Sequence, residues 1–202
     1  MKYDSIDYSR WCQYIPDVIQ PLYDDEILKS VTLTEIRDAF RPNQMQGKAW
    51  LFEQLTEVNR NAKIMVIGSW LGFTSYCLYK AGFKFITETD PDARLTRIAT
   101  RLNSPNPDFI HLQKDVNNID LSTYDLVIST SCEHIGNNSW FNTIRPGAVV
   151  ALQSTNLKWH DHVNTVDSVD EFKNQFKLDY QYADEMVFNP MFTRYMIVGK
   201  KL

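Results

Sequence analysis

Cysteine is scarce in this chain: Cys12, Cys77 and Cys132 are its only three in 202 residues. They are odd in number and far apart, with no Cys-x-x-Cys, which excludes both a disulfide framework and a structural zinc site built on thiolates. Long apolar runs are missing too. No stretch approaches the roughly 20 residues needed to span a bilayer, and the amino terminus, Met1 to Ser5, lacks the apolar segment of a secretory signal. A cytoplasmic location with no membrane partner is the expectation. An excess of positive charge is also absent, since 21 Lys and Arg against 25 Asp and Glu leave a formal net charge of −4. Such a balance gives no electrostatic footprint for a polyanion. The nearest basic cluster, Arg94, Arg97 and Arg101, has helical spacing and reads as the solvated face of its helix. Nucleic acid is a poor fit as a partner; a small-molecule substrate is the better one.

What is present begins at Lys63. Ile64 to Ile67 is an unbroken apolar run of the kind a buried parallel strand shows. It breaks at Gly68-Ser69-Trp70-Leu71-Gly72, and helical periodicity follows from Phe73 to Ala81. Strand, tight turn and helix in that order place glycines and a helix N-terminus where a ligand can approach the backbone and polar groups are favoured. The spacing is Gly-x-x-x-Gly, so the dinucleotide fingerprint Gly-x-Gly-x-x-Gly of nicotinamide enzymes is missing. A nucleoside-containing cofactor is the expected guest, with a purely structural turn as the alternative.

A second strand, Phe83 to Glu88, ends in a carboxylate about twenty residues past the glycine turn, where an acid can accept both hydroxyls of a ribose. Thr89 follows it. Asp90 precedes Pro91 and reads as the N-cap of a helix from Pro91 to about Leu102, which leaves Glu88 for the sugar. A third strand, Phe109 to Lys114, ends at Asp115-Val116, where a carboxylate and the next N–H suit an adenine edge; Asp115 reads equally as a turn residue bonding its own backbone.

Glycine turn, acid after the second strand and acid after the third together resemble the class I, Rossmann-like S-adenosylmethionine-dependent methyltransferases, over about residues 62–202. The resemblance implies a Gly-rich first loop holding the methionine part, an acid for the ribose and an acid by the adenine. Carried onto this chain, these are Gly68, Ser69, Trp70 and Gly72, then Glu88 with Thr89, then Asp115 with Val116. Two positions depart from the family pattern: Val66 stands where the loop carries an acid, and Trp70 where it carries its middle glycine. An indole there is expected to turn outward onto a neighbouring helix.

The rest of the chain keeps the rhythm. Tyr124 to Thr130 reads as a fourth strand, Ala148 to Gln153 as a fifth after the Arg145-Pro146-Gly147 turn, and Ser168 to Glu171 as a capping box opening a helix. Runs around Tyr182 to Phe188 and Thr193 to Gly199 read as a closing antiparallel pair. The expected fold is α/β: a three-layer sandwich with a mostly parallel seven-stranded sheet ending in an antiparallel strand. Residues 1–60 are helical and aromatic, with Tyr3, Tyr8, Trp11, Tyr14 and Tyr23, and read as an N-terminal helical cap on the same domain; residues 61–202 form the Rossmann-like part. In the cap, Thr32 to Glu35 is a capping box and Gln46 to Val58 an amphipathic helix. Trp11 and Tyr14 are expected either to wall the substrate pocket or to pack on the sheet.

Chemistry is expected beyond the carboxyl ends of the strands. After the fourth strand come Thr130, Cys132, Glu133 and His134, of which Glu133 and His134 are suitable general bases or, alternatively, caps of the next segment. The Asp/Asn-Pro-Pro-aromatic motif of amino-methylating DNA enzymes of this fold is missing there. After the fifth strand, His160-Asp161-His162 offers His162 as a substrate-facing hydrogen-bond partner; two histidines at i and i+2 lack the further ligands a metal needs, and no metal is assigned. His111 reads as a packed or surface histidine, and Arg194 and Tyr195 either as groups that can meet a substrate carboxylate or as the ordinary exposed face of a strand alternating with core positions. The expected function is methyl transfer from S-adenosylmethionine to a small acceptor. Transfer or cyclisation of the aminocarboxypropyl arm, or cofactor binding without catalysis, are the alternatives. No residue pattern names the acceptor or an oligomeric state.

Overall fold

The computed structural model describes residues 7–23, 27, 29 and 31–202; Tyr3 and the side chain of Tyr23 lie outside the described parts. Seven strands form one sheet: β1 (Ile64–Ile67), β2 (Ile86–Thr89), β3 (Ile110–Leu112), β4 (Leu126–Ser129), β5 (Val149–Thr155), β6 (Leu178–Asn189) and β7 (Phe192–Lys201). Their order is β3-β2-β1-β4-β5-β7-β6. Pairing is parallel from β3 through to β5, and β7 runs antiparallel to both β5 and β6. The predicted mostly parallel seven-stranded sheet is therefore present, with its antiparallel strand inserted beside β5 rather than at the rim.

The apolar runs are continuous because both faces of the sheet are covered. Along β1, Ile64 and Val66 join one core while Met65 and Ile67 join the other; β4 divides Leu126 and Ile128 from Val127 in the same way. The first core receives Tyr76, Cys77 and Leu78 of the helix Phe73–Lys80. It also takes in Trp11, Val18, Met45, Trp50 and Leu51 from the N-terminal segment. The second receives Trp140 and Phe141 from a 3-10 turn, and Phe172 of the helix Val169–Gln175 followed by Phe176 just past its end.

We number the helices α1 (Ser9–Cys12), α2 (Ile15–Ile19), α3 (Leu33–Ala39), α4 (Pro42–Glu53), α5 (Phe73–Lys80), α6 (Ala93–Asn103) and α7 (Val169–Gln175). The Thr32 capping box of α3 forms as read, with Glu35 closing it. Helix α4 starts four residues before the predicted Gln46, because Pro42 occupies its first turn, where a missing N–H costs nothing. Helix α6 begins at Ala93, capped by Asp92 whose side chain accepts from the Arg94 N–H. Asp90 is not its cap, and that difference matters for the site. Trp11 is buried against Phe52, with ring centroids 4.2 Å apart. Neither it nor Tyr14 lines the large cavity, so the pocket-wall expectation for these two fails and the packing alternative holds. No helix among the described residues is long and apolar enough to cross a membrane.

Candidate functional site

The sheet order reverses direction between β1 and β4, and a crevice opens beyond the carboxyl ends of strands at such a switch point. Here it is a cavity of about 830 Å³, walled on the strand side by the segments after β1 to β5 and on the other by α3 and α4. That volume falls within the range of pockets that enclose a cofactor-sized molecule.

The β1 turn forms the middle of its floor. Gly68 has φ +65°, and a Cβ there would stand 2.7 Å from Ser131 Oγ, so both the backbone angle and the close side chain favour glycine at this turn. Its N–H and that of Ser69 are held by the Thr89 carbonyl at 2.9 and 3.2 Å. Ser69 Oγ, buried and lining the cavity, has no protein partner. Trp70 adopts φ +51°, the left-handed region that a glycine would occupy without strain. Its ring packs on the cluster of Leu71, Leu95 and Ile98, the packing onto a helix expected from the sequence, and the residue also borders the cavity. Gly72 serves a different purpose from the predicted one. It does not line the cavity; a Cβ there would lie 3.0 Å from the Ala99 backbone of α6, so its smallness lets α5 approach α6.

The predicted second-strand acid does not line the cavity. Glu88 is fully buried and absent from the cavity wall. Its carboxylate accepts from Ser75 Oγ on α5 and lies 3.0 Å from His111 Nδ1 on β3, tying three elements together beneath the site. Glu88 lies within β2, short of its carboxyl end and engaged by Ser75 and His111, whereas Asp90, two positions on and past the strand, reaches the cavity. Asp90 accepts from the Trp70 N–H at 3.0 Å with one oxygen and from the Asp92 N–H at 3.0 Å with the other. Each carboxylate oxygen retains a second lone pair. Thr89 lines the cavity and donates through Oγ1 to the Leu112 and Lys114 carbonyls, fastening the ends of β2 and β3. Asp115 and Val116 line it as well; Asp115 Oδ1 also accepts from Asn117 N at 2.8 Å, so the turn reading and the cavity reading hold together.

At the opposite end stand Thr130, Glu133, His134 and His162. Here the fold supplies a connection that the sequence does not show. The Glu133 carbonyl accepts from Val163 N at 2.8 Å and Asn164 N at 2.9 Å, drawing the loop after β5 across the 3-10 turn Cys132–His134. His134 and His162 then meet edge to face, with centroids 4.6 Å apart. Trp159 stacks on His162. Glu133 is buried, and its Oε2 has no hydrogen-bond partner. Cys132 is buried beside it, and burial pushes its thiol well above the ordinary range, so it is no nucleophile at neutral pH. His160 leaves the group, its side chain 93% exposed.

Two cations of the cavity wall complete the floor. Lys48 on α4 is buried, and desolvation, with Arg194 nearby, brings its ammonium down to about 8. Nothing in the sequence singled it out, because a lysine in an amphipathic helix ordinarily faces water. Arg194 is buried as well; it donates to the Thr130 carbonyl at 3.2 Å, and its Nε is without a partner. Tyr195 points to the other face and donates to the Asp167 carbonyl.

No family model matches the chain, and no curated protein sequence matches it. Solved structures do. The chain is similar to the N-methyltransferase NodS from Bradyrhizobium japonicum WM9, at 12% identity and a TM-score of 0.64, over 81% of this chain and 98% of that one. It is similar to a SAM-dependent methyltransferase from Aquifex aeolicus at 14% identity and a TM-score of 0.65, over 85% and 100%. A geranyl diphosphate methyltransferase solved in complex with SAM gives 11% and 0.66, over 83% and 90%. Sheet order and superposition thus agree that this chain has the Rossmann-like fold of the class I S-adenosylmethionine-dependent methyltransferases.

Proposed function

We propose that this protein is a methyltransferase that uses S-adenosylmethionine to methylate a small-molecule acceptor. The observation that carries the reading is the polarity of one cavity along the strand order. Asp90 and Asp115 stand at the β2 and β3 end, the Gly68 turn lies at β1, and a cluster of proton-accepting side chains lies at the β4 and β5 end.

The residues fit the cofactor. Asp90 is fixed by two backbone N–H groups and keeps lone pairs for two ribose hydroxyls. Asp115 and the Val116 N–H border the place of an adenine. The Gly68 floor and Ser69 Oγ face the methionine portion, and Lys48 and Arg194 suit a carboxylate, whether that of the methionine or of the acceptor. When bound, S-adenosylmethionine supplies a methyl group made electrophilic by its sulfonium. The chain's part is then to hold the acceptor in line and take its proton. Glu133, His134 and His162 are placed for that at the far end of the cavity.

Isothermal titration with S-adenosylhomocysteine tests the binding half. The catalytic half is tested by incubating the protein and S-adenosylmethionine with a panel of hydroxyl, amine and carboxylate acceptors and identifying the nucleoside product. S-adenosylhomocysteine is expected. Methylthioadenosine would instead mean transfer of the aminocarboxypropyl arm, and tight binding with no product across the panel would mean a binding module.

A further inference from the structure

Glu133, His134 and His162 each offer one ligand atom, and these atoms lie within 4.8 Å of one another. We propose that they form a binding site for a divalent transition-metal ion of the zinc class, open on the cavity side.

The orientation of the imidazoles supports this. His134 Nδ1 lies 3.2 Å from the Asp161 carbonyl, and His162 Nδ1 is bonded to the Leu157 carbonyl. A carbonyl only accepts, so these contacts select the tautomer of the neutral imidazole in which Nδ1 carries the proton and Nε2 keeps its lone pair. Metal-bound histidines show this arrangement, in which the outer nitrogen donates to a carbonyl or carboxylate and fixes the tautomer of the inner one. The Asp161 carboxylate, 3.5 Å from His134 Nδ1, adds a second outer acceptor. Independently, Glu133 Oε2 is buried without a hydrogen-bond partner. A buried carboxylate oxygen left unpaired is costly, and a cation would remove that cost. Lys48 and Arg194 interact with Glu133 through space, yet neither forms an ion pair with it within 4.0 Å among the described residues.

Two imidazoles and one carboxylate are the ligand set of open sites that retain a position for water or substrate. Imidazole favours zinc, iron, cobalt and nickel over magnesium and calcium. With the ion bound, Glu133, His134 and His162 serve as its ligands in place of accepting the proton themselves: the ion would hold an oxygen or nitrogen of the acceptor and lower its pKa, the proton leaving to solvent. This use of the ion rests on the methyltransferase reading; ion binding itself does not.

The test uses untagged, metal-stripped protein. Zinc affinity is measured by chelator competition, Co²⁺ is added as a spectroscopic probe, and His134→Ala, His162→Ala, Glu133→Gln and His160→Ala are compared, with thermal melting as the check on folding. Expected is one ion per chain, ligand-field bands of Co²⁺ in a low-symmetry site, and affinity weakened about ten-fold or more in each of the first three variants, with His160→Ala unchanged. Binding no tighter than that of an exposed histidine, an equal loss in His160→Ala, or a preference for Mg²⁺ over Zn²⁺ would each overturn the proposal. Titration of S-adenosylhomocysteine into the same samples separates the two ideas. If zinc fails while the nucleoside binds, the metal site alone falls; if zinc binds while the nucleoside does not, the methyltransferase reading falls.

Discussion

Two acidic residues two positions apart divide the work at the end of β2. Asp90 faces the cavity and Glu88 the packing beneath it. Asp90→Ala should weaken S-adenosylhomocysteine binding by roughly ten-fold or more, since a charged hydrogen bond contributes about 1.5–3 kcal/mol. Glu88→Gln should leave that constant within about two-fold while lowering stability by about 1–3 kcal/mol, because Ser75 and His111 lose a charged acceptor. Calorimetry and denaturant melts on both variants check this, and a reversed pattern would return the ribose role to Glu88. Lys48 offers a pH signature. Its folded value near 8 lies below the ordinary 10.5, so between those pH values the unfolded chain binds more protons and stability rises with pH. The native protein should therefore gain stability from pH 8 to 10 relative to Lys48→Met, on the order of 2 kcal/mol. Parallel melting curves for the two would refute it.

At the level of elements, the sequence was most informative where local physics decides. The run Ile64 to Ile67 and the Thr32 capping box appear as read; Ser168 caps α7, but the Glu171 side chain accepts from Asp167 N in place of closing a capping box, and between β3 and β5 short 3-10 turns stand where helices were expected. The boundary of α6 was misplaced because Asp90 and Asp92 are both plausible caps, and only the fold shows that Asp90 is engaged by the Trp70 N–H. For the site, Gly68, Ser69, Trp70, Thr89, Asp115, Val116, Thr130, Glu133, His134 and His162 are brought to one cavity, yet the contact of His162 with His134 depends on a backbone pairing across about thirty positions that no local pattern encodes. Lys48 and the wall of α3 and α4 were illegible for the same reason. Gly72→Ala measures how tightly α5 and α6 fit. With φ +78° and the Ala99 backbone 3.0 Å from the added carbon, it should cost on the order of 1–3 kcal/mol, seen as a lower denaturation midpoint. A neutral substitution would mean that α6 yields.

At the scale of the molecule, the cavity joins the segment before β1 to the sheet, since α3 and α4 wall one side and the strand ends the other. A ligand that binds there only in the folded state should raise the stability of both together. At about 100 times its dissociation constant, S-adenosylhomocysteine should add about 2.7 kcal/mol, read as an upward shift of a single thermal transition. Two separated transitions, with only one moving, would show that α3 and α4 melt independently of the sheet.

The position of β7 sets the order in which the sheet can be completed. Strand β6 pairs with β7 alone, and β7 in turn pairs with β5. The hairpin of β6 and β7 must therefore dock as a unit, bringing Arg194 beside Thr130 and Gln153. During synthesis, a ribosome would have to release the stretch through Lys201 before β5 gained its outer neighbour. Until then the nascent protein would carry β5 as an unpaired edge, a template for aggregation.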